Sequence, residues 1–311
     1  MFTKQFFKLF PPPKFLDIVY SGLDISDDAI HCIEYSKGSN GFVVHKFGVR
    51  KLEPGIVVAG FIKKEQELIS TLASLVQELK IHTVKASLPE ERMYLFKTEV
   101  PNVSESQIRQ NIEFKLEENV PLSPADALFF FELIPGIKND DKLHASVSVA
   151  PRDLVESYLN VLRLAGLEVI SFEIQPKSIA HAILPSDCHE TQIIVYGMNN
   201  KYGIYVVSSG VVCFTSTIDT TGQLDNILQL ELKKVYQYWN EHEPEKEIKK
   251  IKLTGNGSIK IFQDSKISPD PRVSVEVCNI WSNAFSNDNY IPPISFEDSQ
   301  EYVVAAGLAL Q

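Results

Sequence analysis

Ile18-Val-Tyr-Ser-Gly-Leu-Asp-Ile-Ser26 is a strand-like run that meets a glycine and then short polar residues. Two later stretches share that grammar, Ile193-Ile-Val-Tyr-Gly-Met-Asn199 and Ile251-Lys-Leu-Thr-Gly-Asn-Gly-Ser258. Glycine in such a turn lets a backbone come close to a phosphate, because it tolerates unusual φ/ψ and has no Cβ in the way. Each turn also lacks part of what phosphate chemistry needs. Tyr196 and the pair Asp27/Asp28 stand where a metal-directing carboxylate and small hydroxyls would serve better. The three turns read as a nucleotide-site architecture with its catalytic content pared away. An assembly or scaffold role is expected before an enzyme.

Working outward, residues from about Ile18 to Phe47 read as three strands, with turns at Ser26–Asp28 and Lys37–Gly41. Lys64–Leu79 repeats apolar residues at helical spacing and Val84–Leu88 returns as a strand, so this unit is α/β. Strands then follow at Arg92–Val100, Phe129–Ile134, Leu143–Ala150 and Val169–Ile174, with a polar turn at Lys138–Lys142. Between them lie a helix opened by the capping-box pair Ser104/Gln107 and an amphipathic helix, Asp153–Ala165, closed by Gly166. Pro176–Leu184 is a short helix. Beyond it, three strands (Gln192–Tyr196, Tyr202–Val207, Val211–Thr217) and a long helix, Leu224–Asn240, repeat the grammar of the first unit. A strand at Val273–Val277 and a small-residue helix at Glu301–Leu310 end the chain. Such a duplication places ligands between the halves.

Composition narrows the function classes. A formal net charge of −10 leaves no Lys/Arg surplus to neutralise phosphates, which excludes a generic nucleic-acid binder. Cys32, Cys188, Cys213 and Cys278 form no CxxC pair, and the seven histidines are dispersed. Buried thiols in a reducing cytosol are expected, with no disulfide framework and no metal site. Glu90/Glu91, Glu117/Glu118 and Asp140/Asp141 read as decoration of solvated turns and helix ends, and no catalytic residue is assigned. No apolar run approaches the ~20 residues of a membrane-spanning helix. At the start of the chain Phe2, Phe6 and Phe10 share a helical face before Pro11–Pro13. That stripe either docks on a membrane surface or partner, or folds back onto the core.

An ordered set of motifs then resembles the type IV pilus assembly protein PilM family, relatives of FtsA within the actin-like ATPases. It runs through Leu88-Pro-Glu90, Val100-Pro101, the helix Gln107–Asn119, Asn119-Val-Pro-Leu-Ser123 and Phe129-Phe-Phe-Glu132. It continues in Val149-Ala-Pro151, Leu162-Arg-Leu-Ala-Gly-Leu167, Leu253-Thr-Gly-Asn-Gly257 and Ala305-Ala-Gly-Leu-Ala-Leu310. The resemblance implies an α/β, actin-like (ribonuclease H-like) duplicated core with an inserted FtsA/PilM-type subdomain. The lid subdomain of the second half is reduced or missing, since little room is left between Gly222 and Leu253. The implied division is an N-terminal amphipathic segment at 1–15, a first actin-like subdomain at 16–88 joined by a C-terminal helix at 299–311, an inserted subdomain at 89–175 and a second actin-like subdomain at 176–298.

By the same resemblance, Gly22, Asp24, Ser26, Gly197, Gly255, Asn256 and Gly257 are the nucleotide-site candidates. ATP with magnesium is the cofactor they would hold, and hydrolysis is not expected. Two carboxylates beside a triphosphate repel it unless a metal lies between them. Gly22 and Asp24 read equally as an ordinary hairpin turn, and Gly255–Gly257 as an ordinary strand-to-helix turn. The implied role is a cytoplasmic scaffold at the inner face of the cell membrane. It would bind the cytoplasmic tail of a PilN-like membrane protein and couple it to the assembly motor and platform components. A component of a type II secretion-like system and an ATP-binding conformational switch are the alternatives.

Overall fold

The computed structural model describes residues 19–38, 41–135, 142–199, 201–219, 224–264, 267–285 and 290–310. Phe2, Phe6, Phe10, Gly222 and most of the turn at 138–142 lie outside them.

Two five-stranded sheets have the same topology. The first carries β1 (Ser21–Ile25), β2 (Ala29–Gly38) and β3 (Gly41–Lys51) as an antiparallel meander. The hairpin β4 (Val57–Val58) and β5 (Phe61–Ile62) and helix α1 (Glu65–Leu79) lead to β6 (Thr83–Leu88), which runs parallel to β1. Leu68, Leu72 and Leu75 of α1 are fully buried, each contributing about 1.5–3 kcal/mol of apolar transfer. The hairpin at 57–62 is an element that the sequence reading missed.

A separate antiparallel sheet is inserted after β6. It consists of β7 (Tyr94–Pro101), β8 (Ala127–Leu133) and β9 (Lys142–Pro151) in the order β7-β9-β8. Helix α2 (Glu105–Asn119) covers one face, where Ile108, Ile112 and Leu116 pack on Val100, Ala145, Val147 and Val149. Its start is capped as expected, Gln107 Oε1 accepting from the Ser104 backbone N–H at 3.3 Å. On the other face Ser146 Oγ donates to the Val212 carbonyl at 2.5 Å.

Helix α3 (Arg152–Leu164) ends at Gly166, whose φ of +88° is the left-handed turn that glycine accepts freely. It leads into β10 (Glu168–Ile174). Both elements fall inside the stretch 89–175 expected for the insertion, but their packing is elsewhere. β10 pairs in parallel with β6 as an outer strand of the first sheet. Leu154, Tyr158, Val161 and Leu162 of α3 share a core with α1. Apolar periodicity marks a buried face and cannot name the surface that buries it.

After α4 (Gln175–Ile183) the second sheet repeats the first. β11 (Thr191–Gly197), β12 (Lys201–Ser208) and β13 (Val211–Asp219) form the meander. Helix α5 (Leu224–His242) leads to β14 (Ile248–Gly255), then α6 (Ser258–Asp264) and β15 (Ser274–Val277). β11, β14 and β15 are parallel. A short helix, α7 (Phe296–Ser299), and α8 (Val303–Ala309) close the chain.

The central helices cross over. α8, which follows the second sheet, lies on β1, β2 and β6, whereas α4, which follows the first, reaches β13 of the second sheet while also touching β10 and β6. They meet in one core with Ile33, Tyr35, Ile194 and Tyr205. A Cβ at Gly307 would collide with the Ser178 carbonyl, so only glycine permits that helix–helix approach.

Candidate functional site

A cleft of about 550 Å³ opens between the sheets at the ends of β1 and β11. The parallel order of β6-β1 and β11-β14 brings the β1–β2, β11–β12 and β14–α6 turns there. Asp24, Ser26, Gly197 and Asn256 of the expected set line it, whereas Gly22, Gly255 and Gly257 do not. Gly22 is needed where α8 crosses β1, since a Cβ would strike the Ala305 carbonyl. Gly197 and Gly255 are register partners on adjacent strands, and their turns are pressed together. Asn256 N–H donates to the Gly197 carbonyl at 2.9 Å. These glycines therefore serve contacts between backbones.

Most polar groups of the cleft are bonded to the chain itself, an exception being the buried ring of His31, whose nitrogens make no hydrogen bond among the described residues. Asp24, fully buried, accepts from Ser87 Oγ at 2.5 Å and Gln175 Nε2 at 3.0 Å. Ser26 Oγ closes its own turn, donating to the Ala29 carbonyl at 3.0 Å and accepting from the Ala29 N–H at 3.1 Å. Asp27 accepts from the N–H groups of Ala59 and Gly60 at 2.8 and 3.0 Å, fixing the hairpin to the cleft. Tyr158 holds the Gly60 carbonyl at 2.9 Å, and Arg92 Nε the Ala59 carbonyl at 2.6 Å.

At the cleft, Asn199, Lys201 and Tyr205 of the second half reach across to the first. Asn199 Nδ2 donates to Asp28 at 2.8 Å and its own oxygen accepts from Asn256 at 2.8 Å. Lys201 Nζ meets Glu91 at 2.6 Å and Asp27 at 3.8 Å. Tyr205 donates to Glu90 at 2.7 Å. Burial lowers the Lys201 pKa, but the Glu91 bond and charge outweigh it and leave the amine raised. Burial pushes the Glu90 carboxyl up to about 7. Glu90 is thus a buried interdomain contact, which corrects its expected place on a solvated turn. Dense adjacent carboxylates look the same in sequence whether they are wet or sealed under a tyrosine from a distant strand.

Burial, then the charges of Asp24, Glu301 and Glu90, raise the hydroxyl pKa of Tyr196, so it stays protonated. His31 Nε2 lies 3.5 Å from the Glu301 carboxylate, and that contact depresses the Glu301 pKa. Asp24, Asp27, Asp28, Glu90, Glu91 and Glu301 thus share the cleft with Lys51 and Lys201. A lining so rich in carboxylates attracts cations and repels polyphosphates. Among the described residues no group of His, Cys, Asp and Glu is arranged to hold a metal ion. Cys32, Cys213 and Cys278 are buried thiols, while Cys188 is half-buried. Gln175, Asn199, Lys201 and Tyr205 were not expected here. Gln175, Asn199 and Lys201 stand at or beside the polar ends of helix and strand runs, a faint signal, whereas Tyr205 lies mid-strand in β12 and gave none.

A second region lies between the first sheet and the inserted one. β10 and β8 are outer strands of their respective sheets. Lys177 spans from Glu173 on β10 (3.0 Å) to Glu132 on β8 (3.2 Å), with its amine 4.5 Å above the Phe130 ring. Phe130 remains 54% exposed, and Leu133 and Ile170 are also exposed.

The profile of the family described as type IV pilus assembly protein PilM matches residues 22–227. No curated protein matches the sequence significantly. Among solved structures, a chain of a PilM-PilN type IV pilus biogenesis complex superposes with a TM-score of 0.79 at 16% identity, covering 94% of this chain and 98% of that one. The cytoplasmic domain of EpsL, an inner-membrane component of the type II secretion system of Vibrio cholerae, gives 0.51 at 11% identity over 93% and 94%. Ethanolamine utilization protein EutJ from Carboxydothermus hydrogenoformans gives 0.51 at 14% over 96% and 90%. These likenesses share the actin-like α/β fold.

Proposed function

Because the chain belongs to the type IV pilus assembly protein PilM family, we propose that it is a cytoplasmic scaffold of a pilus assembly machine that holds the cytoplasmic tail of a PilN-like inner-membrane protein. The tail lies as an extended strand between the first sheet and the inserted sheet, and the scaffold couples it to the assembly motor and platform. The observation that carries this reading is the pair of outer strands β10 and β8 flanking exposed Phe130. Open strand edges supply main-chain hydrogen bonds to an extended peptide, and apolar side chains between them supply the anchor. Glu132, Glu168 and Glu173 outnumber Lys177, the cation that bridges two of them, and this surplus favours a basic, membrane-proximal tail by electrostatic steering.

The cleft between the halves acts in this proposal as a joint, and nucleotide hydrolysis plays no part. Supporting it, the candidate donors Ser26, Asn256 and Lys201 are engaged within the chain, and carboxylates outnumber lysines around them. Among the described residues no helix is long and apolar enough to cross a membrane, consistent with a tail supplied by a partner.

The test is calorimetric titration with the synthetic PilN-like tail, using wild type and Phe130→Glu. Binding weakened about tenfold or more by the substitution is expected. Equal affinity for both proteins moves the tail elsewhere. A parallel titration with ATP and Mg²⁺ is expected to give no phosphate release. Release abolished by Asp24→Ala would overturn the scaffold reading.

A further inference from the structure

A second cavity, of about 250 Å³, lies on the opposite side of the inserted sheet from the tail groove. It is lined by Leu95, Phe96 and Lys97 of β7, by Cys213, Phe214 and Thr215 of β13, and by Tyr238, Trp239, His242 and Glu243 at the end of α5. Successive side chains of a strand point to opposite faces. Three consecutive residues from one strand reach a single cavity only when the backbone edge is turned toward it. Both strands present such an edge, since β7 and β13 are the outer strands of different sheets. Among the described residues, the backbone groups of 95–97 and 213–215 make no hydrogen bond outside their own sheets.

The floor is aromatic. Lys97 Nζ stands 4.5 Å from the Trp239 ring centroid and 2.6 Å from Glu243. Tyr238 stacks on His242 with centroids 4.2 Å apart and stays 58% exposed. Glu243 lines the cavity, and its near neighbours in the chain, Glu241 and Glu245, are exposed. Lys97 and Glu243 neutralise each other, and Glu241 and Glu245 outnumber Lys246, whose amine donates to the Pro135 carbonyl at 3.0 Å.

We propose that this cavity is a second docking site, for an extended segment of another protein carrying one bulky apolar side chain flanked by basic residues. The segment adds main-chain hydrogen bonds to β7 or β13, seats its apolar side chain against Tyr238 and Trp239, and sets its basic residues against Glu241 and Glu245. The site is independent of the tail groove, so the two occupants bind together. A scaffold of this shape then joins two chains, one at each edge of the inserted sheet.

Trp239 reports on the site once the other tryptophan is removed with Trp281→Phe. The probe is a panel of short synthetic peptides, lysine-flanked, with Leu, Ile or Phe at the centre of a valine-rich run, titrated against Trp239 emission. At least one peptide is expected to saturate the signal. Backbone N-methylation of that peptide and Tyr238→Ala should each weaken it by about tenfold, the first by deleting edge hydrogen bonds. Phe130→Glu should leave it unchanged. No saturating peptide in the panel overturns the proposal. So does equal binding of the N-methylated peptide, which would mean an apolar pocket without strand addition. Competition by the PilN-like tail would merge the two sites and overturn their independence. Failure of the tail to bind at β8 and β10 leaves this result standing, since a different strand pair carries it.

Discussion

The two halves share one strand order, yet they bring opposite chemistry to the cleft. The first half contributes Asp24, Asp27, Asp28, Glu90 and Glu91, and the second contributes Asn199, Lys201, Tyr205 and Asn256. Acceptors on one side therefore meet donors on the other. In a duplicated fold with a ligand in between, both halves would keep donors free for it. Here Asp28, Glu90 and Glu91 are met by Asn199, Tyr205 and Lys201, while Asp24 and Asp27 take their hydrogen bonds from the first half itself. Duplication conserves the backbone path, while the side chains at equivalent turns decide whether a cleft holds a ligand or closes on itself.

The comparison breaks most completely if the central helices are forced apart. Gly307→Val sets a branched side chain against the Ser178 carbonyl where α4 and α8 cross. A loss of about 3–4 kcal/mol or failure to fold is expected, read by chemical denaturation. A variant melting like the wild type would mean that the two halves are not tied through these helices.

Glu90→Gln tests the buried seam in the opposite direction. Its carboxyl ionises near 7 in the folded protein and near 4.5 ordinarily, so the folded state keeps a proton that the unfolded chain gives up. The resulting penalty is absent below about pH 4.5, grows as pH rises toward 7 and is complete above it. It amounts to roughly 3 kcal/mol at full deprotonation. The glutamine still accepts from Tyr205, so the variant should be more stable at pH 8 and unchanged at pH 4. Parallel stability–pH curves for both proteins would show that Glu90 is solvated.

Asp24→Ala removes the acceptor that Ser87 and Gln175 share and leaves two buried donors unpaired, costing about 2 kcal/mol. If that substitution is neutral, Asp24 is not a structural acceptor. The smallest effect belongs to the outer rim. Asn199→Ala breaks the chain from Asp28 to Asn256 at an exposed position, so about 0.5 kcal/mol is expected from thermal melts. An effect several times larger would make the rim, rather than the buried seam, the principal tie between the halves.

Much of this was legible in one dimension. The meander-then-helix grammar of both halves, the Ser104/Gln107 cap and the left-handed Gly166 follow from local rules, because turn and cap chemistry is settled within a few residues. The three glycine turns were found but their reason was not. Gly22 faces α8, and Gly197 faces the turn after Gly255, and both contacts join residues far apart in the chain. Likewise α3 reads as amphipathic in sequence, but only packing shows that its apolar face belongs to the first sheet.

By itself, then, the sequence determined most of the elements, though not the hairpin at 57–62, together with the duplicated order and the family, since these rest on spacing and composition. Which face each element buries, which carboxylate is sealed and which strand edges stay open were decided by tertiary structure. Those outcomes depend on burial and on hydrogen-bond partners drawn from the other half of the chain, as Glu90 and Tyr205 are, 115 residues apart.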